Sequence, residues 1–408
     1  MEHAGETIGE RIRELRTRQG PQLTQRELAE LAGISVDVIR KLEQGTKRTA
    51  LVGTLQKIAH ALDVDVSALL GRQRLAFHDA ASDGADAGIL AIRRALTMLD
   101  EDLDDVDGEE QGLTVADLRS QVDYGWGAYW AGRYDQLGAV LPGLIQQGRA
   151  VTRQARGDRS EALDLTAQLY QITACTVAHL GYNDLGHIAV EHALRDADRG
   201  GDPLRQAALL GSFAWLVQKQ GRTQEAHQIA VRAAERMEPR FSTAPPQEMS
   251  LWGSLVLTGA TAAARDGRID TADDLLSVAQ GAAARLGTDR NDYEVAFGPA
   301  QVTMQSVDVA VVTGQFGKAL ERAKRMPADA GLPLAARARH LTDVAYAHTN
   351  LVHDDQALDA LLTVERMAPA WIRYQAFPRA VVQELLEHER RRSSPLRNLA
   401  GRLGVGNR

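Results

Sequence analysis

Cysteine is almost absent from these 408 residues. Only Cys175 is present, so no internal disulfide and no all-cysteine metal cage can form. That scarcity fits a reducing, cytoplasmic compartment. Long apolar runs are missing too. None approaches the roughly 18 residues of a membrane span, and the opening MEHAGETIGE lacks the apolar core of a signal peptide. The chain is therefore expected to be cytoplasmic, with no membrane partner. Enzyme motifs are lacking as well: there is no P-loop, no G-x-G-x-x-G after a strand, no G-x-S-x-G and no H-E-x-x-H. The pairs His187/His192 and His348/His353 are each five residues apart, a spacing that diverges on a helix instead of sharing a metal. No catalytic residue, cofactor or metal site is expected. Cys175, in an apolar helical run, reads as an inert core thiol.

What is present is helix. Ala, Leu, Arg, Gln and Glu dominate, all good helix formers. Apolar residues recur three and four apart, as at Ile8, Ile12 and Leu15 or Leu55, Ile58 and Leu62. A 44% hydrophobic fraction supplies a packed core. The length exceeds what one core holds, about 250–300 residues. The net charge of −7 argues against nucleic acid only if it is spread evenly, and it is not. From Thr7 to Ile58 there are 10 Lys/Arg against 6 Asp/Glu, a net of +4. Between Asp100 and Glu110 eight of eleven residues are acidic, which reads as a solvated spacer. It follows a short amphipathic segment, 89–99, and a loose joint is expected at 79–88.

From about Thr114 onward a Gly-centred turn recurs between helical runs, at Gly132, Gly181, Gly221, Gly267 and Gly314, and once without Gly at His353-Asp354-Asp355. The intervals are 49, 40, 46, 47 and 39 residues. Such a unit is a helical hairpin that buries its apolar face only by stacking on its neighbours, which builds a solenoid. The pattern resembles tetratricopeptide repeats, with longer intervals than their usual 34 residues.

Residues 8–70 carry a denser signal. A first helix covers 8–18. Thr24-Gln25-Arg26-Glu27 is a capping box opening a second helix that runs to Ala32. Gly33-Ile34 makes a tight turn, and Ser35 caps a third helix over 36–44. A fourth covers 50–62, and residues 66–70 close the bundle. The stretch LTQRELAELAGISVDVIRKLEQGTKR, Leu23 to Arg48, resembles the Xre/Cro-type helix-turn-helix of phage repressors and bacterial regulators. Gln25, Leu28-Ala29, Gly33, Ile39 and Glu43-x-Gly45 stand in that family's expected places.

The resemblance implies a third helix lying in the major groove of double-stranded DNA. Ile39 and Leu42 face the core, while Val36, Asp37, Arg40 and Lys41 face away. Val36, Asp37 and Lys41 fall where family members read bases. Ser35 opens that helix and stands with these residues among the DNA-binding candidates. Gln25, Arg26, Lys47 and Arg48 are the phosphate-positioning candidates. Arg16 and Glu43 match positions that form a buried ion pair in some members.

The layout of the whole chain resembles actinobacterial-type regulators that fuse this domain to a tetratricopeptide-like array, and the architecture is similar to peptide-pheromone sensors of the RRNPP type. This implies an all-α protein: a five-helix DNA-binding domain over 1–75, an acidic linker with a short amphipathic helix over 76–113, an α-solenoid for sensing or dimerisation over 114–390, and a tail over 391–408. It further implies a transcription regulator, a homodimer on two related half-sites, nucleoid-associated when bound to DNA, responding to a peptide, small molecule or protein effector. The alternative is a protein-interaction scaffold or anti-repressor in which DNA binding is secondary. Trp252, Arg290, Asn291, Tyr293, Arg339 and His340 are the effector-binding candidates, with Arg339 and His340 expected to line the same groove as the 289–297 segment. The plainer reading is that Asn291 caps the next helix and Phe297 fills the core. Trp126, Tyr129 and Trp130 read as core at helical spacing.

Overall fold

The computed structural model describes residues 7–18, 23–46, 50, 52–62, 64, 69, 81–98, 113–327, 330–388 and 394–405. The expected closing segment at 66–70, all but Leu69, and the acidic run lie outside the described residues.

Among the described residues four helices build the N-terminal bundle: α1 (Ile8–Arg18), α2 (Gln25–Leu31), α3 (Val36–Glu43) and α4 (Val52–Ala61). Thr24 caps α2 as its spacing predicts. Its hydroxyl accepts from the Glu27 amide at 3.2 Å, and the Glu27 carboxylate accepts from the Thr24 amide at 2.7 Å. The core is aliphatic: Ile12, Leu28, Ile39, Leu42, Leu55, Ile58 and Leu62 are all buried.

Next comes α5 (Ala81–Thr97), which replaces the loose joint expected at 79–88 with helix over residues 81–88. It is no free linker helix. Ile89, Ile92, Ala95 and Leu96 are buried in the core of the array.

The array consists of six helical hairpins: α6 (Val115–Trp130) with α7 (Tyr134–Gln154), α8 (Arg159–His179) with α9 (Asn183–Gly200), α10 (Pro203–Lys219) with α11 (Thr223–Arg236), α12 (Pro246–Arg265) with α13 (Ile269–Leu286), α14 (Pro299–Val312) with α15 (Phe316–Ala323), and α16 (Leu334–Asn350) with α17 (Asp354–Met367). A two-stranded hairpin, β1 (Arg290–Asp292) and β2 (Val295–Phe297), interrupts the series before α14. Three helices finish the chain: α18 (Pro369–Tyr374), α19 (Ala376–His388) and α20 (Ser394–Arg402). The expected tail therefore contains a packed helix, with Leu396, Leu399 and Leu403 buried.

The first helix of each hairpin packs on the first helix of the next, whereas each second helix packs on the first helix of its own hairpin and, up to α15, on that of the next. This makes α6, α8, α10, α12, α14 and α16 one continuous layer. A side-chain hydrogen bond joins every adjacent pair in it. Trp126 Nε1 donates to Gln168 Oε1 at 3.1 Å, Gln171 Nε2 to Ser212 Oγ at 3.0 Å, and Thr261 Oγ1 to Gln218 Oε1 at 3.3 Å. Arg265 and Arg339 each donate to Asp308 Oδ1 at 2.9 Å. Buried polar groups matched in this way hold the helices in one register. The two ends also meet. Trp371 of α18 lies against Gly132 at the first turn, and one core runs from Ile89 to Leu403.

The bundle touches the array through α4. Gly53 lies against the Tyr346 hydroxyl, 3.6 Å from where its Cβ would stand, and just beyond α4 the Val64 backbone lies so close to Gly221 that a Cβ there would come within 2.3 Å of it.

The five glycine turns all adopt left-handed backbone, φ 70° to 88°. At the sixth, Val352 takes that role with φ 59° while 70% exposed. A β-branched residue is strained there by about 1–2 kcal/mol. Val352→Gly relieves this at the cost of a looser unfolded chain. We expect a net gain of about 1 kcal/mol, read as a rise of about 2 °C in Tm.

His179 closes α8, stacked on Tyr134 with ring centroids 4.8 Å apart. Burial, with the Lys219 charge adding to it, holds its imidazole down to about 3. The folded ring stays neutral while the unfolded one takes up a proton below about 6.5. Stability is therefore full above that value and falls with acidity by about 1.4 kcal/mol per pH unit. Between pH 7 and pH 5 the stability gap between wild type and His179→Phe should move by about 2 kcal/mol in favour of the variant. Denaturant titrations at the two pH values measure it.

Candidate nucleic-acid interface

The α2–turn–α3 unit is held by local bonds. Gly33 has φ 60°, and the Ile34 amide donates to the Ala29 carbonyl at 3.0 Å. The Ser35 hydroxyl accepts from the Asp37 amide at 3.3 Å, so Ser35 serves as the N-cap of α3. Ile39 and Leu42 anchor α3 in the core, as their spacing predicts. The opposite face is open: Val36 is 45% exposed, and Arg40 and Lys41 are half exposed.

Asp37 sits between these two cations. Its carboxylate pairs with Lys41 Nζ at 2.6 Å and with Arg40. Lys41 first, then Arg40, hold the carboxyl below its ordinary value. Asp37 therefore fixes the directions of both side chains on the free protein. Arg26 pairs with Glu30 one turn along an exposed face, at 3.0 Å, a contact worth little in water. Lys47 and Arg48 lie outside the described residues.

Behind this face, Arg16 and Glu43 form the expected pair. Arg16 Nε and Nη2 donate to the two Glu43 oxygens at 2.7 and 2.9 Å, and Nη1 donates to the Leu23 carbonyl at 2.7 Å. Gln25 joins them, its amide donating to Glu43 Oε2 at 2.7 Å. That bond uses one of the two amide hydrogens of Gln25. Glu43 has captured one of its amide donors in the interior, because a buried carboxylate needs every donor within reach.

The effector candidates do not form one site. Trp252 is buried, edge-on to Phe241 at 5.2 Å. His340 is buried, and loss of hydration holds its imidazole down to about 4. Arg339 is spent on Asp308 and Asp343. Neither Arg339 nor His340 lines the cavity of about 140 Å³ beside Arg290, Asn291 and Phe297. Asn291 does not cap α14. Asp289 does, accepting from the Ala300 amide at 3.0 Å. Phe297 is core, its ring filling the notch left by Gly253.

Arg290, Asn291 and Tyr293 belong to the β-hairpin, whose tip is unusual. Asp292 faces Val295 across the ladder, so Tyr293-Glu294 is a two-residue loop. Both have positive φ, 53° and 60°, where Asn-Gly is the favoured pair. Each costs about 1–2 kcal/mol in backbone strain. Contacts from two array helices and from the segment before α10 hold them. Arg205 of α10 lies over the Tyr293 ring at 4.9 Å and donates to its carbonyl at 3.4 Å. Arg205 is itself clamped by Asp164 of α8 at 2.7 Å. The Tyr293 hydroxyl stands beside the Asp202 carboxylate, and burial together with that neighbour pushes it up to about 12. Trp130 of α6 donates its indole N–H to Glu294 Oε2, which also accepts from Asn291 at 2.7 Å.

Trp130, Arg205, Asp164 and Glu294 are therefore functional candidates that sequence reading missed. Only Trp130 carried a signal, and it is half-buried instead of core. The histidine spacing also misled at one pair. His348 and His353 bring their Nδ1 atoms within 3.3 Å, because α16 ends between them and the turn reverses the chain. Among the described residues no group of three or more His, Cys, Asp or Glu is arranged to hold a metal, and no helix is long and apolar enough to cross a membrane. Burial pushes the Cys175 thiol up to about 12, which keeps it unreactive.

A family model described as "Helix-turn-helix" matches residues 12–69. No curated protein matches the chain. Among solved structures, Bacillus thuringiensis PlcR in complex with the peptide PapR7 and DNA is 16% identical, over 69% of this chain and 99% of that one, with a TM-score of 0.29. A superposition that weak leaves the fold to be read from this chain's own contacts. Residues 12–69 are a helix-turn-helix domain, carried on a helical array.

Proposed function

We propose that the chain is a sequence-specific DNA-binding transcription regulator whose array senses an intracellular effector and dimerises. One observation carries the DNA reading: α3 is seated by Ile39 and Leu42 and leaves Val36, Arg40 and Lys41 uncovered, in a segment of net charge +4. A helix so mounted presents an apolar contact for a thymine methyl and cationic forks for guanine and phosphate. The array meets the bundle at α4, so the reading face stays accessible. Arg26, Lys47 and Arg48 serve as phosphate anchors. The acidic remainder repels DNA and confines contact to this one face.

The sensing role is supported by the array itself, a continuous polar-laddered layer crossed by a strained hairpin. The contacts of Gly53 in α4 with Tyr346 and of Val64 just beyond α4 with Gly221 give a change in array curvature a route to the DNA-binding domain. Dimerisation follows from half-site geometry: a lone helix-turn-helix reads few base pairs, and a symmetric pair doubles the contact. Selection of bound sequences from a random DNA pool with the full chain, followed by footprinting, tests the proposal. A discrete protected site with two related halves is the expected result. Absence of any enriched sequence favours the scaffold reading and overturns this one.

A further inference from the structure

The hairpin tip is held by groups that do not belong to it. The Trp130 indole N–H, the Arg205 guanidinium and Asp202 come from α6, α10 and the segment before α10, and together they meet a carboxylate, a phenol ring with its hydroxyl, and one carbonyl. The base of the hairpin is fixed independently. Phe297 fills the Gly253 notch, and Asp289 caps α14. The tip can therefore lift without unravelling the base. Its backbone favours lifting, since Tyr293 and Glu294 both occupy the left-handed region without being glycine. Nor is the tip sealed: Asn291 is exposed, and Tyr293 and Glu294 are half-buried.

Resting on the sensing role above, we propose that Tyr293-Glu294 is an internal occupant of the effector site, and that the ligand this site takes presents a carboxylate beside an aromatic ring. Such a ligand places its ring under Arg205 and its carboxylate on the Trp130 indole, replacing the tip without leaving either group unpaired. The strained tip competes with the ligand, so the empty site is closed and the apparent affinity is lowered by the fraction of closed molecules. An acidic–aromatic peptide segment and a small aromatic carboxylic acid share this chemistry.

Calorimetry on the full chain tests the site. The peptide probe is the N-acetylated, C-amidated octapeptide with the sequence of residues 290–297. The small-molecule probe is 4-hydroxyphenylacetate. Tyr293→Ala combined with Glu294→Ala empties the site, and this variant should bind at least one of the two probes at least tenfold more tightly than wild type. Glu294→Gln, which keeps the shape and drops the charge, should give an intermediate gain and stands in if the double variant does not fold. Adding Trp130→Phe should remove the gain. Binding of only the octapeptide identifies a peptide segment, and binding of 4-hydroxyphenylacetate identifies a small acid. Equal affinity of wild type and tip variants for both probes, or a gain that survives Trp130→Phe, overturns the proposal. DNA affinity measured with and without bound probe separates the two ideas: tight probe binding with unchanged DNA affinity removes the sensing role and leaves the site standing.

Discussion

Replacing Arg40 and Lys41 together with alanine should lower the affinity for the selected operator by a hundredfold or more. Each side chain removed from a base edge costs about 1–3 kcal/mol, and two lost cations reduce the salt slope of binding by about 2. Titrations by fluorescence anisotropy at several salt concentrations measure both quantities. Stability should not change, because both residues are half exposed and their bonds to Asp37 are surface pairs. A double variant that melts like wild type and still binds the operator tightly would show that α3 is not the reading helix. The salt slope sharpens the test. Loss of affinity with an unchanged slope would mean that the two cations act on bases alone, without counterion release.

Glu43→Ala should act by a different route and unfold the DNA-binding domain. The Glu43 side chain is 3% exposed and Arg16 12%. Truncation leaves a guanidinium with two donors and the Gln25 amide without their acceptor, and breaking such a pair costs about 3–5 kcal/mol. A domain of about 60 residues has roughly 3–9 kcal/mol in total. Amide hydrogen exchange of the full chain should show α1 to α3 losing protection while the array keeps its own. Operator binding falls in parallel. The pair is no source of net stability, however: Arg16→Met with Glu43→Leu should recover most of the protection. Full protection in Glu43→Ala alone would mean that Arg16 finds another partner.

The parts of this protein that are legible from its residues are those with local causes. Thr24 and Glu27 are three apart and each side chain accepts from the other's amide, so the start of α2 is written in four letters. Ser35 and Gly33 mark the turn before α3 in the same way. The glycine turns announce the hairpins, since a left-handed residue is needed wherever one helix folds back on the next. Val352 shows the limit, because spacing places the turn there and nothing in the residue type does. Residues 89–98 read as an amphipathic segment, 81–88 as part of a loose joint and 394–405 as a tail, but an apolar stripe does not say what covers it. The hairpin tip was least legible. Trp130 and Glu294 are 164 residues apart in the chain, and their bond exists only because the array curls. Gln25 fits its family position, yet its donor is taken by a carboxylate that a linear reading places on another helix.

The seating of Trp371 against Gly132 has a consequence for how the chain reaches this state. A linear stack of hairpins grows by adding each unit to the last, and its first units are complete early in synthesis. Here the first turn of the array waits for a residue well over two hundred positions later. Contacts of that separation are slow to form, because a long loop must close before they reward it. Until α18 to α20 leave the ribosome, the apolar surface around the first hairpin stays open to aggregation and to chaperones. A nascent chain ending at residue 368 would thus carry all six hairpins and still lack its final closure, so the last forty residues act as the clasp that completes folding.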